Sequence, residues 1–157
     1  PILVQYYQNN KARLFELYLE LSSYMTLLSY LIVLFIFIFH EDLIQITFGN
    51  NFVESSKILV ILSFGLIPMF NAFLRSSYMT ISESQKIILY TTLFSSIINI
   101  LLNFFMIKKY GIEGAVYATV VTQILSLSLL NVAFDKTRVL FFIQTKSLLL
   151  MGIRRKK

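Results

Sequence analysis

The sequence contains no cysteine, so a disulfide framework, a zinc–thiolate cluster and a thiol nucleophile are all out of reach. It contains one histidine, His40, followed by Glu41 and Asp42. Three consecutive residues on one helical turn point in different directions, and no second His or Cys completes a coordination sphere. The trio is therefore read as polar punctuation at a membrane surface. No Gly-rich phosphate loop and no nucleophile elbow is present. No cofactor and no metal is implied, and nothing in the residues speaks for an enzyme. Charge is scarce too: Asp, Glu, Lys and Arg make up 14% of the 157 residues, against about 25% in soluble domains.

What fills the space is apolar. Hydrophobic residues reach 57%, and the mean hydropathy is +0.73. Residues 21–39, 58–74, 87–107 and 114–134 carry no charge, and together they are half the chain. A helix of about 20 residues spans the roughly 30 Å of a bilayer's hydrocarbon core. The runs show no period-two alternation, which argues against a membrane β-barrel. A helix instead satisfies its own backbone, as hydrocarbon demands. The expected fold is an all-α membrane protein with four transmembrane helices at 21–39, 58–81, 87–107 and 114–134. The +6 net charge is not a nucleic-acid footprint, because seven of the fourteen Lys and Arg follow Phe134.

The segments between the runs complete this organisation. Residues 1–20, with Lys11, Arg13, Glu16 and Glu20, are too charged for a signal peptide. They are read as a cytoplasmic or interfacial lead-in. Residues 43–57 begin as an amphipathic stretch and hold the turn signal Gly49-Asn50-Asn51. Residues 135–157 read as a basic tail, with an interfacial helix over 139–153 that ends in Arg154-Arg155-Lys156-Lys157. Four helices are few for an alternating-access transporter. The start at Pro1 rather than Met gives the expectation that this is the C-terminal piece of a longer protein. Lys and Arg on alternate sides of the four spans count eleven to three, which places both ends in the cytoplasm.

Three polar or small stripes mark helix faces. In the fourth span, Gly114, Ala118, Thr122 and Ser126 recur every fourth residue, as close helix packing in lipid requires. In the third, Thr91, Ser95, Asn99 and Asn103 share one face. Asn99 and Asn103 either clasp a neighbouring helix or line a hydrated path. In the second, Ser63, Asn71 and Arg75 align, and Pro68 at mid-span predicts a kink through the carbonyl of Phe64. Arg75 either faces a cavity or reaches to lipid headgroups.

The order of these features resembles a known family. It includes the 43–49 stretch Leu-Ile-Gln-Ile-Thr-Phe-Gly, a Pro-bearing helix, the Ser-Glu-Ser-Gln-Lys turn at 82–86 and an Asn-containing helix. Above all it includes Lys109-Tyr110-Gly111-Ile112-Glu113-Gly114-Ala115-Val116-Tyr117-Ala118-Thr119. Residues 1–134 resemble the C-terminal third of polysaccharide flippases, the O-antigen and repeat-unit transporters of the superfamily that includes multidrug exporters. A Pro often precedes the Lys-Tyr-Gly in that family, whereas this chain has Ile107-Lys108.

The resemblance implies the last four of about twelve helices, in a protein of the bacterial inner membrane. Such a protein moves undecaprenyl-diphosphate-linked oligosaccharide to the outer leaflet. Its implied partners are the lipid bilayer, the lipid-linked substrate, the missing N-terminal helices of the same protein and a glycan polymerase. No nucleic acid is among them. The alternatives are a drug or small-solute exporter of the same superfamily, a non-transporting four-helix anchor or assembly subunit, and a membrane-embedded glycan enzyme.

The orientation is directly testable, because single cysteines can be introduced on a cysteine-free background. Cysteine at Asn50 or Glu113 is expected to react with an impermeant thiol reagent in intact cells. Cysteine at Glu83 or Thr145 is expected to react only after lysis. The reverse pattern would invert the topology.

Overall fold

A computed structural model describes residues 2–153, so the basic cluster 154–157 lies outside the described residues. The chain is helical throughout, with no strand among the described residues. In order, the helices are α1 (Ile2–Asn9), α2 (Lys11–Phe48), α3 (Ser56–Ser63), α4 (Leu66–Ile81), α5 (Gln85–Leu127) and α6 (Arg138–Leu148). Short 3-10 turns at Asn50–Ser55 and Leu129–Ala133 join α2 to α3 and α5 to α6. Three helical stretches are long and apolar enough to cross a membrane: Lys11–Phe48, Ser56–Ile81 and Gln85–Ala133.

The first stretch begins ten residues before its apolar run. The Asn10 side chain accepts from the backbone N–H of Arg13 at 3.0 Å, capping one of the free N–H groups of the first turn. The expected stop at Phe39 is a bend instead. Phe39 leaves helical geometry (φ −111°, ψ 16°), and the helix resumes through the polar trio to Phe48. Gly49, at φ 88°, then ends it.

The second stretch is interrupted between α3 and α4. Pro68 has no N–H to offer the carbonyl of Phe64. The backbone there tightens into i→i+3 bonds, from Phe64 N to Ile61 O (3.3 Å) and from Gly65 N to Leu62 O (2.9 Å). The interruption therefore falls on the residue whose carbonyl the proline ring displaces.

The third stretch reverses direction. Gly111 takes φ 60° and ψ −137°, a conformation that L side chains rarely adopt. Two arms, 85–110 and 112–127, fold back on each other from this point. The Asn99 carboxamide in the first arm donates to Thr122 Oγ1 in the second at 3.2 Å. A straight helix would hold two residues 23 apart about 35 Å apart along its axis. At Gly114 the arms approach so closely that an added Cβ would lie 2.1 Å from the backbone oxygen of Met106.

The tail differs most from expectation. Instead of lying free in an interface, α6 is docked into the bundle, with Leu140, Ile143, Gln144 and Ser147 buried. Leu140 and Ile143 join Leu14 and Tyr18 of α2 and Tyr78 and Met79 of α4 in the apolar core. Further along, Ser147 Oγ lies 3.2 Å from Thr26 Oγ1, and the Tyr30 hydroxyl donates to the carbonyl of Leu148 at 3.0 Å. The chain then turns back until Gly152 N donates to Ser23 Oγ at 2.9 Å. Hydropathy gives α6 an amphipathic face, but only the fold supplies its mates: Leu14, Tyr18 and the Ser- and Thr-rich face of α2, with Tyr78 and Met79 of α4.

The Gly114 crossing generates a test. Gly114→Ala drives a methyl into a backbone carbonyl, so it is expected to cost about 3 kcal/mol. Its thermal midpoint in detergent should fall well below that of Val121→Leu, which adds bulk at an exposed position of the same arm.

Candidate functional site

Two polar networks in the bundle interior centre on α4. The first centres on Asn71 of α4. Ser22 Oγ donates to its Oδ1, and its Nδ2 donates to Thr26 Oγ1 (3.1 Å) and to the carbonyl of Ile67 (3.3 Å). Through the Thr26–Ser147 contact this network reaches α6. It ties α2, α4 and α6 together with neutral groups, the interhelical polar glue that replaces hydrophobic drive inside lipid.

The second network centres on Arg75, one turn along α4 and only 4% exposed. Its Nε donates to Asn131 Oδ1 at 2.9 Å, and its Nη2 donates to Thr91 Oγ1 at 2.9 Å. Thr91 passes its own proton to the carbonyl of Ile87 at 2.8 Å, which leaves its lone pairs to the guanidinium. Asn131, fully buried in the 3-10 turn, donates through Nδ2 to Gln144 Oε1 at 3.2 Å. Gln144 donates through Nε2 to the carbonyl of Leu127 at 3.0 Å. Thr137 Oγ1 secures the carbonyl of Asn131 at 2.9 Å.

Arg75 thus points inward and is held there, and the arrangement in which it reaches to headgroups is not the one adopted. Among the described residues no carboxylate pairs with it. The ion pairs found are Arg13–Glu16, exposed on α2, and Arg138–Asp135, exposed where the turn meets α6. A charge withdrawn from water and answered only by neutral dipoles is costly. It leaves a net positive potential inside the bundle. Arg75 does not line the cavity of about 410 Å³ between the first arm of α5 and the 3-10 turn, but Thr91 borders it. One side chain therefore separates the guanidinium from open space.

The remaining candidates separate. Ser63 is buried, but its hydroxyl donates only to its own helix, at the carbonyl of Val60 (2.6 Å). Asn99 and Asn103 close on the α5 hairpin: Asn103 Nδ2 donates to Asn99 Oδ1 at 2.9 Å, and Asn99 to Thr122. Gly114, Ala118 and Thr122 are buried in that hairpin, with Ser126 partly buried beyond them. Ser95, between Thr91 and Asn99, has a buried hydroxyl without a partner. Pro68 lines a second cavity, described below.

Sequence reading did not single out Ser22, Ser23, Thr26 and Ser29, or Asn131, Gln144 and Ser147. The first set carries a legible signal, since Ser22, Thr26 and Ser29 recur at i, i+4 and i+7 on one face. The second set carries none. Asn131 and Gln144 are isolated polar residues whose roles arise from where α6 docks.

Compared with models of known protein families, with curated proteins and with solved structures, the chain gives no match.

The Arg75 network makes a stability prediction. Thr91→Val removes an acceptor from a buried cation and is expected to cost about 2 kcal/mol. Asn131→Leu, which breaks bonds on three sides, should cost more. Thermal unfolding in detergent reads both. Thr91→Val is expected to be much milder in an Arg75→Met background, where no buried charge remains to be stranded.

Proposed function

We propose that this chain is the C-terminal four-helix portion of a flippase that carries lipid-linked oligosaccharide across the bacterial inner membrane. In this reading α5 crosses the bilayer twice, its arms joined at Gly111, and α2 and α3–α4 cross once each. Both ends lie in the cytoplasm. α6 then enters from the cytoplasmic side as a re-entrant helix beside α2, which is tolerated because protein buries it.

The observation that carries this reading is the buried guanidinium of Arg75. A diphosphate-linked substrate passing through a low-dielectric interior needs fixed cations along its route. A guanidinium offers a planar fork of donors matched to phosphate oxygens. An intramembrane charge is costly enough that it usually marks a transport path. The resemblance of residues 109–119 to the flippase signature supports the same reading, as does the placement of that signature at the Gly111 reversal and the Gly114 crossing. Mechanistically, this bundle would be the larger part of one lobe, rocking against the missing helices around a hydrated cavity. The interruption at Phe64–Gly65 supplies a point of bending. Rocking exposes Arg75 by parting the 3-10 turn from α5.

The nearest alternative, a drug or small-solute exporter of the same superfamily, has no need of a phosphate-binding fork. Complementation in the full-length protein, with membrane abundance measured in parallel, separates the two. Arg75→Ala at normal abundance is expected to abolish glycan export, and Arg75→Lys to impair it. Full export by Arg75→Ala would overturn the proposal.

A further inference from the structure

A further cavity lies against Asn71 and Gln144 rather than against Thr91. It measures about 420 Å³ and sits between α4, the second arm of α5 and α6. Ile67, Pro68, Ile124, Phe141 and Leu148 supply apolar walls, and Asn71 and Gln144 form its floor. The two hydrogen-bond networks therefore converge here, one through each carboxamide.

The floor groups have a definite residual capacity. Asn71 Nδ2 has committed both protons, to Thr26 and to Ile67. Gln144, 8% exposed, uses one Nε2 proton on Leu127 and one Oε1 lone pair on Asn131. A carboxamide carries two donors and two acceptor sites. One N–H of Gln144 and acceptor sites on both side chains thus remain. No charged side chain lines the cavity. Its rim is formed by Phe64, Ile124, Leu129 and Leu148, all exposed on the outside of the bundle. With the apolar stretches of this bundle in a bilayer, a solute dissolved in the hydrocarbon can reach this opening.

We propose that this cavity is a binding site for an uncharged, largely apolar molecule bearing a single hydrogen-bonding group, of the long-chain alcohol class, taken up from the bilayer. A pocket of a few hundred Å³ with apolar walls and a few convergent polar groups is the usual form of a small-molecule site. The chemistry selects against anions. A carboxylate or phosphate head would lose its hydration and meet the spare Gln144 N–H and the Ser128 hydroxyl but no cation. Arg75 does not itself line this cavity, and the proposal does not depend on the transport reading.

The test uses the full chain in nanodiscs and three photoactivatable probes of equal length: an alkyl alcohol, the matching carboxylate and the matching alkane. Labelled positions are mapped by peptide mass spectrometry. The alcohol is expected to label the α4 and α6 walls saturably, and about tenfold more tightly than the alkane, the worth of one hydrogen bond. Leu148→Trp fills the rim without touching either network and should abolish that labelling. Labelling at Ile100 and Phe104, exposed on the far arm of α5, should persist in that variant. Gln144→Leu should reduce the alcohol to the alkane's affinity and leave the alkane unchanged. Because Gln144 also supports Asn131, its variant is compared at matched thermal midpoints, and the Leu148 result stands without it. Non-saturating labelling of equal density on the cavity and on Phe104 would overturn the proposal. So would preference for the carboxylate, or labelling unaffected by Leu148→Trp.

Discussion

Arg75 places a cation in the bundle interior with Asn131 and Thr91 as its hydrogen-bonded partners, each at 2.9 Å. Those bonds are made to a charged group, where each contributes about 1.5–3 kcal/mol and where losing one leaves charge stranded in a low dielectric. The consequences spread through the chain. Asn131 can meet the guanidinium only if the 3-10 turn follows α5 at that point, and Thr137 and Gln144 hold the turn there. Gln144 in turn brings α6 into the bundle. Four segments that hydropathy alone would leave free to slide are thereby fixed in register about one side chain.

A second constraint, satisfaction of backbone groups, shapes the breaks in the helices. Each of the three long apolar stretches is interrupted, and three of these interruptions are handled locally. Phe39 bends within continuing helix, Phe64–Gly65 tightens ahead of Pro68, and Gly111 reverses the chain outright. The Gly111 reversal has the largest effect, because it converts one 43-residue helix into two packed arms. Gly114 then permits backbone-to-backbone approach, and Asn99 clasps the far side. The small stripe and the carboxamide stripe, on different arms, are two halves of one contact.

The polar interior divides by charge as well as by partner. The Asn71 network is neutral and internally matched, which suits a fixed joint between α2, α4 and α6. The Arg75 network carries a charge with no carboxylate partner among the described residues. Between them lies a cavity whose floor is polar but uncharged. One bundle thus presents two chemically distinct environments within a few helical turns, and a single hydrogen bond from Asn131 to Gln144 links the cation to the cavity floor.

The sequence by itself determined that the chain is helical and apolar. It also marked the breaks at Pro68 and near Gly111, and the polar and small stripes of 87–107 and 114–134. These features follow from nearest-neighbour chemistry: missing backbone donors at proline, the conformational range of glycine, and side-chain recurrence every three to four residues. Only the tertiary structure decided that α6 docks along α2 rather than lying free. It alone decided that Arg75 turns inward to Asn131, 56 residues away, and that Asn71 and Gln144 meet around a common cavity. Those outcomes depend on pairings between distant segments. A lone polar residue has the same local signature whether it faces headgroups, water or a partner, because its energy is set by what the fold brings opposite it.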